Sequence, residues 1–443
     1  MSAHPHPSPG AASAALSRLL DATASALQAI RAGQSGTAAL AATDAALRPA
    51  VQALLFQVLR NLGRAQALRR LLAPRKPPPR VDALLCTALA LAWEPESAPY
   101  EPFTLVNQAV EAAKRSPARH GSAAFINACL RRFLREREGL VAATQGDETA
   151  VWNHPAWWIQ RLRRDHPQCW QQILQANNAP APMVLRVARQ KSTSALYQKA
   201  LAAINIESTA VGGWGVVLAR PVPVQRLPGF DEGVVSVQDA AAQMAAPLLL
   251  DGLDAGKSLR LLDACAAPGG KTAHLLELAD IELLALDADA GRLARVQQNL
   301  DRLGLAGSHV RLKAADAADL DSWWDGKPFD AVLADVPCTA SGIVRRHPDI
   351  RWLRRENDVR RTATLQARIL DALWRTVAPG GRLLYVTCSV FPLEGTRQAL
   401  EFMQRHADAV RLDAPGQLLP VAVDATPAAQ HDGFFYALFA KQT

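Results

Sequence analysis

The chain has 443 residues, about half of them hydrophobic, which is enough for two or three domains with separate cores. No apolar run approaches the ~18 residues of a membrane span, and the opening MSAHPHPSPG has neither the basic start nor the apolar core of a signal peptide. A net charge of +8 favours a polyanionic partner, and six cysteines without a C-x-x-C pair argue against a zinc ribbon or a disulfide framework. The expectations are a flexible tail over residues 1–10, no membrane partner, a cytoplasmic location and a monomer.

Residues 11–150 read as all-helical. Val51, Leu54, Leu55, Val58, Leu59 and Leu62 recur at the spacing of an amphipathic helix. Val81, Leu84, Leu85, Ala88 and Leu89 repeat it after APRKPPP (73–79), a proline-rich break. In AAFINACLRRFLRERE (123–138) apolar residues take one side and arginines the other. Arg131 and Arg132 on that face would meet either RNA phosphates or water. Residues 151–240 read as a linker domain. Trp152, Trp157, Trp158 and Trp170 mark a helical connector, and from Val184 to about Val235 short apolar runs alternate with Gly/Pro turns, as in a small α+β unit.

Residues 241–443 alternate strands and helices, which predicts an α/β domain built on a largely parallel, doubly wound sheet. The strands are SLRLLDA (258–264), IELLALD (281–287), HVRLKAAD (309–316), FDAVLADV (329–336), RLLYVTC (382–388) and a closing GFFYALFA (433–440). KTAHLLELA (271–279) and AGRLARVQQNLDRLG (290–304) are helices between them.

After the first of these strands comes Cys265-Ala266-Ala267-Pro268-Gly269-Gly270-Lys271. Its two glycines let backbone approach a ligand, and the following helix offers free N–H groups. The loop is neither G-x-G-x-x-G nor a Walker P-loop, so a nucleotide lacking a pyrophosphate fits better. Asp287 ends the second strand, 24 residues after Asp263, where an acid can take both hydroxyls of a ribose. Asp316 ends the third, within reach of an adenine amino group. Three strand-end acids around a glycine loop suit S-adenosylmethionine, whose sulfonium and ribose both favour carboxylates. The histidines have no ligand spacing, so no metal is expected.

Two thiols lie near strand ends, Cys338 in ADVPCTASG (334–342) and Cys388 in YVTCSV (385–390). A thiolate is a strong, soft nucleophile suited to an electron-poor carbon such as carbon-6 of a pyrimidine. Cys86, Cys129 and Cys169 sit in apolar or Trp-rich contexts and read as inert. Arginines crowd residues 345–361 just after Cys338, with Arg345, Arg346 and His347 first; they read as a phosphate grip or a solvated face. Taken alone, Pro337-Cys338 looks like the better nucleophile, since DNA cytosine methyltransferases use a similar Pro-Cys.

DACAAPGGKT (263–272), ADVPCTASGIVRRHPDIRW (334–352), YVTCSV and DGFFYA (432–437) closely resemble the bacterial 16S ribosomal RNA cytosine-5 methyltransferases of the Sun/Fmu/RsmB family. FINACLRRF (125–133), HPAWWIQRLRRDHP (154–167) and LPGFDEGVVSVQDAAAQ (227–243) extend the resemblance from about residue 12 to the end. Val336 and Thr339 stand where Ala and Ser are commoner in that family. The resemblance implies a NusB-like helical RNA-binding domain, an RNA-recognition linker and a Rossmann-like core that binds S-adenosylmethionine. It implies that Cys265 to Lys271, Asp287, Asp316 and Asp335 line the cofactor site, that Cys388 is the nucleophile, and that Cys338 assists product release. Asp335 would bind the N3/N4 edge of the base, with Lys271 orienting it. The implied substrate is one cytosine of 16S rRNA, nucleotide 967 in the usual numbering, free or in a partly assembled subunit. The same chemistry on tRNA or another rRNA site, or a non-catalytic assembly factor, are the alternatives.

Overall fold

The apolar periodicity of the N-terminal third folds as helices around one buried helix. A computed structural model describes residues 15–116, 119–254, 258–420 and 430–443; the expected tail over residues 1–10 lies outside them. Within these residues the chain divides into two compact units. One is Met1–Ile159 with His347–Leu353, the other Gln160–Arg346 with Arg354–Thr443.

In the first unit the helix Pro79–Ala92 is buried from Val81 through Ala92, including Cys86. Helices Leu16–Arg31, Arg48–Arg60, Leu62–Leu72, Pro102–Arg115 and Ala123–Ala142 pack around it. Proline at the first helical position starts Pro79–Ala92 and Pro102–Arg115, where no N–H is lost. The only acid in the first turn of the central helix, Asp82, is buried and receives Arg31 at 2.8 Å and Arg69 at 2.9 Å. Segment 347–353 belongs to this unit. Asp349 accepts the Gly36 N–H at 2.8 Å, the Trp352 indole donates to the Leu59 carbonyl at 3.2 Å, and Leu353 packs against the helical core.

The second unit contains two sheets. The smaller has strands β1 (Val184–Val187), β2 (Ser208–Val211), β3 (Gly215–Leu218) and β4 (Val235–Val237), in the order β2-β3-β1-β4 and antiparallel throughout. Helix Ser194–Ala202 covers one face through Tyr197 and Leu201. The larger sheet has β5 (Leu259–Asp263), β6 (Ile281–Asp287), β7 (Val310–Ala314), β8 (Phe329–Asp335), β9 (Val377–Thr387), β10 (Ala409–Leu418) and β11 (Phe434–Lys441). Its order is β10-β11-β9-β8-β5-β6-β7; β5 to β9 pair in parallel, and β10 and β11 are antiparallel additions.

Strand alternation supplies both cores. Leu259, Leu261, Leu283 and Ala285 face helices Ala245–Leu250, Gly270–Leu278 and Ala290–Leu303. Leu262, Leu284, Leu286 and Val332 face helices Leu320–Trp323, Glu356–Thr376 and Thr396–Arg405. This is the doubly wound architecture expected, with two corrections. The strand Phe434–Lys441 does not close the sheet: it lies between β9 and an edge strand, β10, that the sequence pattern does not reveal. Asp316 is not a strand residue, because β7 ends at Ala314.

Candidate active site

The carboxyl ends of β5, β6, β8 and β9 meet at one crevice, the usual ligand edge of a parallel sheet. Asp263 closes β5, fully buried, and accepts the Thr272 hydroxyl at 2.7 Å. Burial pushes its carboxyl up to about 7, against the Thr272 hydrogen bond, and Asp335 adds to the push. The loop that follows is stitched to the neighbouring strands: Ala264 N–H donates to Leu333, and Ala266 N–H to Leu286 at 2.7 Å. Ala267 N–H donates to Asp287 Oδ2 at 3.2 Å. Gly269 has φ +97°, and a Cβ there would stand 3.1 Å from Val296, so only glycine takes this corner without strain.

Lys271 opens the helix Gly270–Leu278, and its Nζ lies 2.6 Å from Asp335 Oδ2 and over the Phe434 ring. Burial pulls the ammonium down, but Asp335, with smaller help from Cys388 and Asp263, raises it net. Asp287 ends β6, buried, and accepts the Asp289 N–H at 3.0 Å. Asp335 ends β8. Asp316 is different: it is exposed, caps Ala318 N–H and pairs with Arg368 at 2.8 Å.

The two thiols converge. Cys338, three residues past β8, and Cys388, one past β9, are 50 residues apart in sequence, yet their sulfurs lie 3.4 Å apart. The hydrogen bond with Cys388 pushes the Cys338 thiol well above its ordinary range, and burial and Glu394 push it further. Cys265 is also pushed well up, first by burial and then by Asp335, Asp263 and Asp287. Cys86 and Cys129 are likewise raised by burial.

The RNA-contact candidates separate. Arg345 is buried in an ion pair with buried Asp432. Arg346 reaches Asp432, Asp239 at 2.8 Å and the Pro182 carbonyl at 3.0 Å. Both guanidiniums are therefore engaged by internal acids, Arg345 buried and Arg346 partly so. His347, Arg131 and Arg132 are exposed, with Arg132 paired to Glu136 at 2.9 Å. Three internal residues were not among the site candidates. Arg186 on β1 holds Glu277 through two hydrogen bonds and donates to the Gly270 carbonyl at 2.8 Å, tying the small sheet to the glycine loop. Asp432 and Glu394 are fully buried acids whose partners are remote in sequence. A cavity lined by Val211, Trp214, Met244, Leu248 and His431 contains none of the candidate residues.

Three family models match the chain: the 16S rRNA methyltransferase RsmB/F model over residues 252–440, an RsmF/B-like ferredoxin-like domain over 154–225, and the NusB family over 11–135. The ribosomal RNA small subunit methyltransferase B of Vibrio cholerae serotype O1 is 40% identical over 437 residues, 95% of this chain and 97% of that protein. The protein of the same name from Pseudomonas putida is 45% identical over 325 residues, 72% of this chain and 73% of that one. Among solved structures, PH0851 superposes with a TM-score of 0.75 at 23% identity, covering 95% of this chain and 99% of that one. A methyltransferase homolog protein from Pyrococcus horikoshii gives a TM-score of 0.56 at 25% identity, over 67% of this chain and 98% of that one.

Proposed function

Given that the chain belongs to the 16S rRNA methyltransferase RsmB/F family, we propose that it methylates carbon-5 of one cytosine of 16S rRNA, nucleotide 967 in the usual numbering, through a covalent bond from Cys388 to carbon-6. The reading rests above all on the 3.4 Å approach of two sulfurs beside the Lys271–Asp335 pair. S-adenosylmethionine is the proposed methyl donor. The donor set fits it: Asp287 is a buried strand-end carboxylate suited to ribose hydroxyls, and Gly269 and Gly270 form a corner with room for backbone contact. Cys265 to Lys271, Asp287 and Asp335 would hold it, with Asp316 at the outer rim. When bound, it supplies an electrophilic methyl group to carbon-5.

Carbon-5 of cytosine is too weak a nucleophile unaided. Addition of the Cys388 thiolate to carbon-6 makes carbon-5 enamine-like; once carbon-5 carries the methyl group, its proton passes to water as the carbon–sulfur bond breaks, which returns the thiolate and the aromatic ring. Cys338, its sulfur 3.4 Å from that of Cys388, is placed to assist release of the product. Asp335 hydrogen-bonds the N3/N4 edge of the base, and Lys271 fixes the orientation of that carboxylate. The base must be unstacked or already in a loop to reach the thiols. Such an enzyme would act in the cytoplasm as a monomer, on free or partly assembled small-subunit RNA.

The test is to incubate the protein with radiolabelled S-adenosylmethionine and protein-free 16S rRNA, with tRNA and 23S rRNA alongside, and to map the labelled base. Label at a single 16S cytosine supports the reading. Label on tRNA or 23S rRNA alone keeps the chemistry and overturns the substrate. No label on these RNAs or on immature 30S particles overturns both.

A further inference from the structure

Each thiol of the pair is followed by a hydroxyl residue, Thr339 after Cys338 and Ser389 after Cys388, and both hydroxyls reach the same carboxylate. That carboxylate is Glu394, fully buried in a short turn (Pro392–Glu394) beyond β9. Its Oε1 accepts the Thr339 backbone N–H at 2.8 Å and the Thr362 hydroxyl from the helix Glu356–Thr376. Its Oε2 accepts the Thr339 hydroxyl and the Ser389 hydroxyl, the latter at 2.6 Å. A carboxylate has about four lone-pair sites, and here all four are filled. Donors from several elements thus converge on this buried acid.

The other bonds between the two loops are neutral. Gly342 N–H donates to the Cys388 carbonyl at 2.9 Å, and the Ser341 and Ser389 hydroxyls lie 2.9 Å apart. Glu394 binds the residue next to each sulfur. We propose that Glu394 is the positioning residue that holds the Cys338 and Cys388 loops in register, so that the two sulfurs stay at contact distance. Its role in turnover rests on the two-thiol reading above; its effect on the distance between the sulfurs does not. The charge of Glu394 also helps to keep Cys338 protonated, in the same sense as its positional role.

The experiment compares the full chain with Glu394→Gln, which keeps the shape but puts an amide nitrogen where one oxygen accepted hydroxyls. Two readouts are taken. One is steady-state methylation of 16S rRNA, with KM and kcat separated. The other needs no turnover: the rate at which diamide joins Cys338 to Cys388 as a disulfide, followed by alkylation and mass spectrometry. A loss of register by an ångström or so costs about 10–100-fold in rate. Expected are a fall in kcat of that size, KM values for both substrates unchanged, and disulfide formation slowed by a similar factor. Should Glu394→Gln not fold, Ser389→Ala and Thr339→Val each cut one arm and are judged in the same way. Disulfide formation at the wild-type rate in a folded variant overturns the proposal, as does an unchanged kcat. If Cys388→Ala retains methylation, the two-thiol reading is lost, while the diamide rates still decide whether Glu394 holds the loops.

Discussion

Cys338 and Cys388 carry different duties on the proposed mechanism, although their sulfurs lie 3.4 Å apart. On the proposed mechanism Cys388→Ala abolishes methylation because no sulfur remains to activate the ring. Cys338→Ala instead retains attack and loses the residue that assists release, so the protein should stay bound to its RNA. Denaturing electrophoresis with labelled 16S rRNA reads this directly as a slow band for Cys338→Ala and none for Cys388→Ala. Normal turnover by Cys338→Ala without an adduct would sink the release role. Asp263 gives a second test at this scale. Its carboxyl is raised by burial from 3.8 to about 7, so its ionised form is disfavoured in the fold. Below about pH 4 it is protonated in both states and costs nothing extra. As pH rises toward about 7 the unfolded chain ionises it while the fold keeps it protonated, and stability falls across that window by at most about 4 kcal/mol. Asp263→Asn retains an acceptor for Thr272 and removes the titration. Melting curves should therefore show a gain for Asp263→Asn over wild type at pH 8 that vanishes near pH 4.

At the scale of elements, the crevice is made by loops pressed closer than side chains allow. Gly342, in the loop after Cys338, and Gly433, just before β11, approach so closely that a Cβ on Gly342 would lie 2.0 Å from the Gly433 carbonyl oxygen. Gly433 N–H donates to Gly342 O at 2.9 Å, so this pair fastens the Cys338 loop to the strand beside β9. Gly342→Ala must separate them, at an expected cost of about 1–3 kcal/mol in urea unfolding together with a marked fall in kcat. Much of this was legible beforehand. Apolar runs ending in Asp or in a Cys motif are what a parallel strand with a loop at its carboxyl end requires, and β5, β6, β8 and β9 were readable from them. β10 was not. Its RLDAPGQL is polar, broken by Pro-Gly, and paired on one side only, so nothing in the local pattern demands a strand. The six-residue buried run of β11 suggested alternation where the strand is in fact paired on both sides. Glu394 was hidden for another reason: its partners lie 55 and 32 residues upstream as well as beside it, and only tertiary structure brings them together.

For the whole molecule the question is where the positive charge goes. The sequence crowds arginines into residues 345–361, but a sequence cannot tell a phosphate grip from an internal ion network, because the neutralising acids are distant. Asp432 and Asp239 internalise Arg345 and Arg346, and Arg351 is buried in the helical unit, donating to the Asn153 carbonyl at 3.2 Å. Arg355, Arg360 and Arg361 remain exposed, as do Arg131 and Arg132 on the helix Ala123–Ala142. Binding to RNA through released counterions should therefore scale with this smaller set rather than with the net charge of +8. Arg360→Ala with Arg361→Ala is expected to leave the melting temperature unchanged and to lower the slope of log affinity against log salt by about 1, since Arg361 is already answered by Asp358 at 3.6 Å. Arg131→Ala should remove a further 0.7 or so, more than Arg132→Ala, whose charge is already answered by Glu136. Arg345→Met is expected to behave in the opposite way. It strands the buried Asp432 carboxylate with only Arg346 to answer it, lowers the melting temperature, and leaves the salt slope of the surviving folded protein as it was. Titrations of labelled 16S rRNA at several salt concentrations separate the two classes. A salt slope that falls for Arg345→Met in folded protein would return that residue to the RNA surface.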